Sequence, residues 1–83
     1  MDIGAHIYSN PCHDKVQLSV DLESKLNPFF MLHDLNSRQV LKTKLNSKLT
    51  SHEIDIQTMQ PGLYVYSIHT TEGVLASGKL VIL

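Results

Sequence analysis

Alternation of apolar and polar residues is the main pattern along this chain. It is clearest in KVQLSVDL, residues 15–22, where positions 16, 18, 20 and 22 are apolar and the positions between them are polar. A period of two predicts a strand with one buried and one solvated face, as in an antiparallel sheet. Residues 52–56 alternate in the same way, with Ile54 and Ile56 predicted to face inward.

The remaining apolar segments are also short and rich in β-branched or aromatic residues, which favours strands. They are residues 5–8, 29–35, 38–45, 63–70 and 74–83. One of them, extended to residues 40–49, also fits a helical stripe. Thr43, Asn46 and Ser47 are poor helix formers and no cap brackets the segment, so we interpret it as a strand.

Turn signals separate these segments about every ten residues. Asn10-Pro11, Asn27-Pro28 and Asn36-Ser37 are turn sequences. Pro61-Gly62 suits the two central positions of a type II turn, and Glu72-Gly73 is predicted to reverse the chain between the last two strands. The succession predicts an all-β fold, an immunoglobulin-like antiparallel β-sandwich of about seven strands.

The alternation also predicts which side chains form the core of this sandwich. The predicted inward set is Ile7, Val16, Leu18, Val20, Phe30, Leu32, Val40, Ile54, Ile56, Leu63 or Tyr64, Ile68, Val74, Leu80 and Ile82. Tyr64 and Tyr66 share one face of one strand, where core packing is the default explanation. No internal repeat is present.

Composition limits the classes of function. A chain of 83 residues forms one small domain with one thin core. Its hydrophobic fraction of 42% and charged fraction of 18% are ordinary for a globular domain, and no apolar run approaches the ~20 residues of a spanning helix. The net charge is −1 and the lysines are scattered, so we expect no binding to nucleic acid.

No group of residues predicts catalysis, a metal site or a cofactor. The histidines at positions 6, 13, 33, 52 and 69 lack the close spacing of zinc ligands. Cys12 is the only cysteine, and we interpret Cys12-His13-Asp14 as turn sequence because the members of a thiol triad come from different parts of a fold. We interpret Lys15, Lys42, Lys44 and Lys79 as charges that discourage pairing between sheet edges.

The amino terminus, residues 1–6, lacks the basic start and the long apolar segment of a secretory signal. Two interpretations remain, a cytoplasmic protein or a part cut from a larger precursor, and we favour the second. We accordingly interpret residues 1–6 as a linker remnant or an added start, with Met1 an added initiator, and residues 7–83 as the folded domain.

Several segments, in their order and spacing, resemble a known family. They are residues 7–11 (IYSNP), 32–36 (LHDLN), 54–56 (IDI), 59–64 (MQPGLY), Gly73 and residues 78–82 (GKLVI). The chain resembles the type A carboxy-terminal sorting domain of type IX secretion over nearly its whole length. It departs from the family pattern at Ser37, where a glycine is common, and Cys12 stands where a small residue is common.

The resemblance implies a non-catalytic address label at the end of a larger cargo protein. The family's cargo passes through the periplasm, is recognised by the type IX translocon, crosses the outer membrane and becomes secreted or bound to the cell surface. A sortase-like peptidase then typically removes the domain by cutting upstream of the sandwich, at or before residues 1–6. The partners implied are thus the translocon, the peptidase and an N-terminal cargo domain, with no insertion into the membrane.

We place recognition by the translocon on the terminal hairpin. The predicted recognition residues are Gly62, Tyr64, Gly73, Gly78, Lys79 and Leu80. The alternative function is an immunoglobulin-like or fibronectin-like adhesion or carbohydrate-binding module, because a fold alone does not determine function. Glycan binding without export of a fused reporter would favour that alternative.

Overall fold

Short strands joined by turns make up the part of the chain that the computed structural model describes, residues 6–8, 14–22 and 27–83. The strands are β1 (His6–Tyr8), β2 (Lys15–Ser19), β3 (Phe29–His33), β4 (Gln39–Lys44), β5 (Ser51–Asp55), β6 (Gly62–Thr70) and β7 (Gly73–Ile82). In β2 and β3 every second side chain is buried, as the sequence pattern predicts. No described segment forms a helix, so this part of the chain contains no helix long and apolar enough to cross a membrane.

The described strands form two antiparallel sheets. The first sheet has the order β1-β2-β5 and the second has the order β4-β3-β6-β7. Side chains from both sheets meet in one hydrophobic core. In an immunoglobulin constant domain the fourth strand belongs to the first sheet, whereas here β4 pairs with β3. The predicted all-β sandwich is confirmed, and so is the choice of strand over helix for the residues of β4.

Most of the side chains predicted to face inward are buried. They are Val16, Leu18, Val20, Phe30, Leu32, Ile54, Ile56, Tyr64, Ile68, Leu80 and Ile82. Ile7 is partly buried against this core, and Leu63, the alternative to Tyr64, is exposed. The core also contains Leu22 and Leu45, which are not in the predicted inward set.

Two predicted core residues are wrong, and β-bulges explain both. Val40 is 38% exposed and Val74 is 59% exposed. Leu32 pairs with Leu41 while His33 pairs with Gln39, so Val40 is an extra residue in β4. An extra residue shifts the two-residue period by one, which places the next apolar side chain, here Leu41, against the core.

The second bulge lies in β7. Ile68 pairs with Ala76 and His69 pairs with Val74, which leaves Leu75 as the extra residue. Strict alternation counted back from the buried Leu80 would place Val74 on the inward face, but the extra residue reverses the faces before Val74 is reached. Leu75 and Ala76 pack against the core instead.

The two turns predicted around β6 differ in detail from the structure. Gly62 has φ +154°, far from the value of about +80° at the second central position of a type II turn, and it is already the first residue of β6. At the other end of β6, Thr71 and Glu72 are the two loop residues, because Thr70 pairs with Gly73. Gly73 has φ +117°, a backbone conformation that glycine adopts readily and other residues avoid.

Asp34 organises the turn between β3 and β4. Its carboxylate Oδ1 accepts hydrogen bonds from the backbone N–H groups of Asn36 (2.9 Å) and Arg38 (3.0 Å), and its Oδ2 accepts one from Arg38 Nε (3.1 Å). Hydrogen bonding to the Arg38 backbone, followed by weaker contributions from Asn36 and the Arg38 guanidinium, lowers the pKa of Asp34 below 3.8. Ser37 has φ +65°, which explains why a glycine suits this position.

Replacing Gly73 with valine should strain the backbone without a steric clash. No heavy atom lies within 4 Å of a Cβ built at Gly73, so the expected cost is that of a conformation that L-residues avoid, about 1–3 kcal/mol. Urea unfolding of Gly73→Val measures this loss. Ser77→Val, at an exposed position of the same strand, is the matched control and should change stability by less than about 0.5 kcal/mol. Equal midpoints for Gly73→Val and the parent would contradict the assignment.

Asp34→Asn should reduce stability at neutral pH and remove part of its acid dependence. The folded-state pKa of Asp34 lies below its unfolded value, so its contribution is present above pH 3.8 and is lost as the pH falls through the folded pKa. The free energies of unfolding of the two proteins should therefore converge below pH 3.8, as measured by urea unfolding at several pH values. A difference that stays constant down to the lowest pH would contradict this role.

Candidate functional site

The structure places five of the six predicted recognition residues at one end of the β6–β7 hairpin. Tyr64 pairs with Leu80 and Val65 with Lys79, while Gly62 and Gly78 pair with Ile82 and Tyr66 in the same ladder. We call this end, Gly62–Tyr66 with Gly78–Ile82, the open end of the hairpin. It lies opposite the Thr71-Glu72 loop.

Gly73 is separate from the other five residues. It pairs with Thr70, which follows Gly62 by eight residues along β6. A strand rises about 3.3 Å per residue, so roughly 26 Å separates Gly73 from the level of Gly62. The positive φ of Gly73 favours a role in the turn.

Tyr64 stabilises the entry into β6. Its side chain is only 7% exposed, and its hydroxyl donates a 2.6 Å hydrogen bond to the backbone carbonyl of Gln60. Immunoglobulin domains contain a similar tyrosine corner near the start of their sixth strand. Leu80, its cross-strand neighbour, has no exposed surface. A direct contact between a partner and either side chain would require the sandwich to open, so both residues shape the hairpin from inside.

Gly78 makes room for an aromatic ring. A Cβ at Gly78 would lie 2.7 Å from Tyr66 Cε2 and 2.8 Å from the Tyr66 hydroxyl, closer than real Cβ contacts. The Tyr66 ring thus covers the glycine across the ladder, and it also stacks on Phe30 with centroids 6.0 Å apart. Gly78 carries no positive φ, so its requirement is steric. An aromatic residue paired with a glycine is the pattern by which cross-strand contacts of this kind can be recognised.

Lys79 is the predicted recognition residue whose side chain is charged and exposed. Leu63, Val65 and Val81 surround it on the outer face of the sheet, each 38% exposed. We call these three residues and Lys79 the open-end outer face. The three apolar members are not among the recognition residues predicted from the sequence. Their alternation with the buried Tyr64 and Leu80 is the pattern that could have indicated them.

Internal contacts occupy another part of the outer face of this sheet. The rings of Phe29 and His69 stack with centroids 5.2 Å apart, and Lys42 Nζ lies 4.5 Å from the centroid of the Phe29 ring. His69 Nε2 is 2.8 Å from the hydroxyl of Ser67. These contacts explain the histidine and lysine at this end of the sheet without a ligand.

The outer face of the other sheet is polar and partly acidic. Lys15 Nζ lies 3.5 Å from Glu53 Oε2, and Gln17 Nε2 donates to the same oxygen at 2.8 Å. Asp14 and Asp55 lie beside these residues around an open depression. The part of the chain that the structure describes contains no group of three His, Cys, Asp or Glu residues that could hold a metal ion. Cys12 and His13 lie outside the described residues.

The fold and the hairpin thus define a class, a small immunoglobulin-like β-sandwich with an exposed edge hairpin in its four-stranded sheet. A family profile described as the secretion system C-terminal sorting domain matches residues 6–83, and the chain belongs to this family. Membership confirms the resemblance to the type IX secretion sorting domain and implies a non-catalytic sorting signal, an N-terminal cargo and export across the outer membrane. No curated protein and no solved structure matches the chain.

Gly78→Ala should destabilise the domain through its clash with Tyr66. Overpacking of this kind typically costs about 1–3 kcal/mol, because the ring must leave its position on the core. The same substitution should cost less in a Tyr66→Leu background, where the ring is absent. A double-mutant cycle by chemical denaturation measures the coupling between the two positions. An equal cost in both backgrounds would show that Tyr66 is not the cause.

Proposed function

We propose that the domain directs a cargo protein, joined to its N-terminal end, from the periplasm through the type IX translocon and is afterwards removed by a sortase-like peptidase. The observation that carries this proposal is the family match over residues 6–83. The two-sheet β-sandwich is a second, separate support, because it comes from the structure and not from the match. The cargo becomes secreted or attached to the cell surface.

The open-end outer face is the surface we assign to recognition. Unrelated cargoes share no sequence, so a translocon must read a feature carried by the domain alone. Lys79 contributes an exposed charge and Val65, its cross-strand partner, contributes exposed apolar surface. Gly62, Tyr64, Gly78 and Leu80 act indirectly, because they set the shape and register of the hairpin that presents this surface.

The arrangement of β1 is compatible with removal by a peptidase upstream of the sandwich. β1 begins at His6, which pairs with Ser19 of β2. A cut before His6 would leave all the described strand pairings intact. The peptidase could therefore release the cargo without unfolding the sorting domain.

Export of a reporter tests the proposal. Residues 1–83, fused behind a fluorescent protein that is active in the periplasm and produced in a type IX host, should carry fluorescence into the medium or to the cell surface. Retention of the parent fusion in the periplasm would contradict the sorting function.

Lys79→Ala should block export of this fusion without lowering the melting temperature. Lys79 is exposed, so its truncation should change stability by less than about 0.5 kcal/mol. Lys44→Ala is the matched control, since it removes an exposed lysine from β4 at the opposite edge of the same sheet. Normal export of the Lys79→Ala fusion would contradict the recognition site while leaving the sorting function in place.

A further inference from the structure

We propose that the outer face of the four-stranded sheet docks on the anionic headgroups of a lipid bilayer through Lys42 and Lys44 of β4. The contact is with the surface of the bilayer, and no segment of the chain enters the hydrocarbon. The proposal rests on the proposed function in one respect, because export places the domain beside the outer membrane. It adds a partner, a lipid surface, that the sorting function does not include.

The strand β3 fixes which side chains this surface presents. Phe30 and Leu32 have no exposed surface and lie in the core. Successive residues of a strand point to opposite faces, so Phe29 and Met31 point away from the core. Both are half-buried, which leaves part of each side chain on the outer face of the sheet.

Two lysines of the neighbouring strand share this face. Lys44 pairs with Phe29 and Lys42 pairs with Met31, and residues directly opposite on neighbouring strands project from the same face. Both lysines are exposed. On the other side of β3, His69 pairs with Phe29. We call Phe29, Met31, Lys42, Lys44 and His69 the basic face.

The charges of the basic face are not neutralised by the described residues. Lys42 Nζ lies 4.5 Å from the centroid of the Phe29 ring, and an aromatic ring attracts a cation without cancelling its charge. No described carboxylate lies within ion-pair distance of Lys42 or Lys44. Asp34 and Glu72, the carboxylates of the two hairpins in this sheet, lie in the turns at its two ends. Both lysine charges therefore face the solvent.

The outer face of the first sheet has the opposite charge. Asp14, Glu53 and Asp55 lie there around the open depression, together with Lys15. The sandwich thus has one basic and one acidic outer face. An anionic surface attracts the first face and repels the second, so it orients the domain as well as binding it.

Charge complementarity indicates an anionic partner, and the kind of basic residue indicates a lipid surface. Both charges are lysines, which are flexible point charges, whereas arginine is the residue suited to two-bond recognition of a protein carboxylate. Lysine stems lie along apolar surface while their ammonium groups stay in water or among headgroups. A bilayer that contains anionic lipids attracts basic residues over about a Debye length.

Vesicle sedimentation tests the contact. The full chain, residues 1–83, is mixed with vesicles of phosphatidylglycerol and phosphatidylcholine, or of phosphatidylcholine alone. It should sediment with the anionic vesicles and stay in solution with the neutral ones. Raising NaCl from about 0.1 M to about 1 M shortens the Debye length from about 10 Å to about 3 Å and should release the chain. No sedimentation with the anionic vesicles, or equal sedimentation with both kinds, would overturn the proposal.

Lysine substitutions test which face makes the contact. The double variant Lys42→Gln and Lys44→Gln should partition onto anionic vesicles about 25-fold more weakly, about fivefold for each lysine near the surface. Lys44→Gln alone keeps the contact between Lys42 and Phe29 and should lose about fivefold. Lys15→Gln, the matched control, removes the same charge from the acidic face and should bind as the parent does.

Two results with these variants would overturn the assignment. One is equal weakening by Lys15→Gln and Lys44→Gln, which would show that the net charge and not the face decides binding. The other is unchanged binding by Lys44→Gln with the melting temperature of the parent. Binding of the parent chain to soluble polyglutamate, but not to vesicles, would overturn the lipid surface in favour of an acidic protein.

The outcomes are distinguishable from those of the sorting function. Export of the parent fusion by a domain that does not bind anionic vesicles would overturn the lipid contact and leave the sorting function in place. Binding to vesicles without export of the fusion would contradict the sorting function and support the lipid contact. Export of the Lys44→Ala fusion should remain normal under both proposals, because translocon recognition is assigned to the open-end outer face.

Discussion

The ladder between β6 and β7 is the constraint on which the rest of this domain depends. Its inward side chains, among them Ile68, Leu80 and Ile82, are buried in the core that the two sheets share. Each such side chain contributes about 1.5–3 kcal/mol when fully buried. Successive residues of a strand point to opposite faces, so the register that buries Leu80 is also the register that exposes Lys79. A slip of one residue would put the lysine in the core and is therefore strongly disfavoured.

This coupling explains how a small core can specify a recognition surface. Most of the residues that relate the chain to the sorting-domain family act on shape. Asp34 accepts the hydrogen bonds of a turn, Tyr64 ties the start of β6 to Gln60, and Gly78 accommodates the ring of Tyr66. The exposed side chains at the open end are few. A sorting signal built in this way presents the same hairpin whatever protein precedes it.

The protection of sheet edges is uneven across the molecule. Lysines and a bulge lie on β4 and carboxylates on β5, while the regular part of β7 carries one lysine near its middle. Charged side chains on an edge strand discourage its pairing with the edge of another sheet.

The sequence by itself determined the class of fold, the strands and most of the core. Alternation is a local property, since each strand shows its buried face in its own residues, and the turn sequences separate the strands without reference to neighbours. The order of short motifs was also enough to identify the family. These results required no knowledge of which strand lies beside which.

Tertiary structure decided the features that depend on pairing between distant residues. The bulges in β4 and β7 exclude Val40 and Val74 from the core, and nothing in the local pattern shows where an extra residue enters a ladder. The need for glycine at position 78 arises from Tyr66 across the hairpin. The assignment of β7 to a sheet edge likewise follows from the strand order. A single strand specifies its own two faces, but its neighbours are chosen by the burial of the whole chain, and only that choice determines which edge and which lysine meet the solvent.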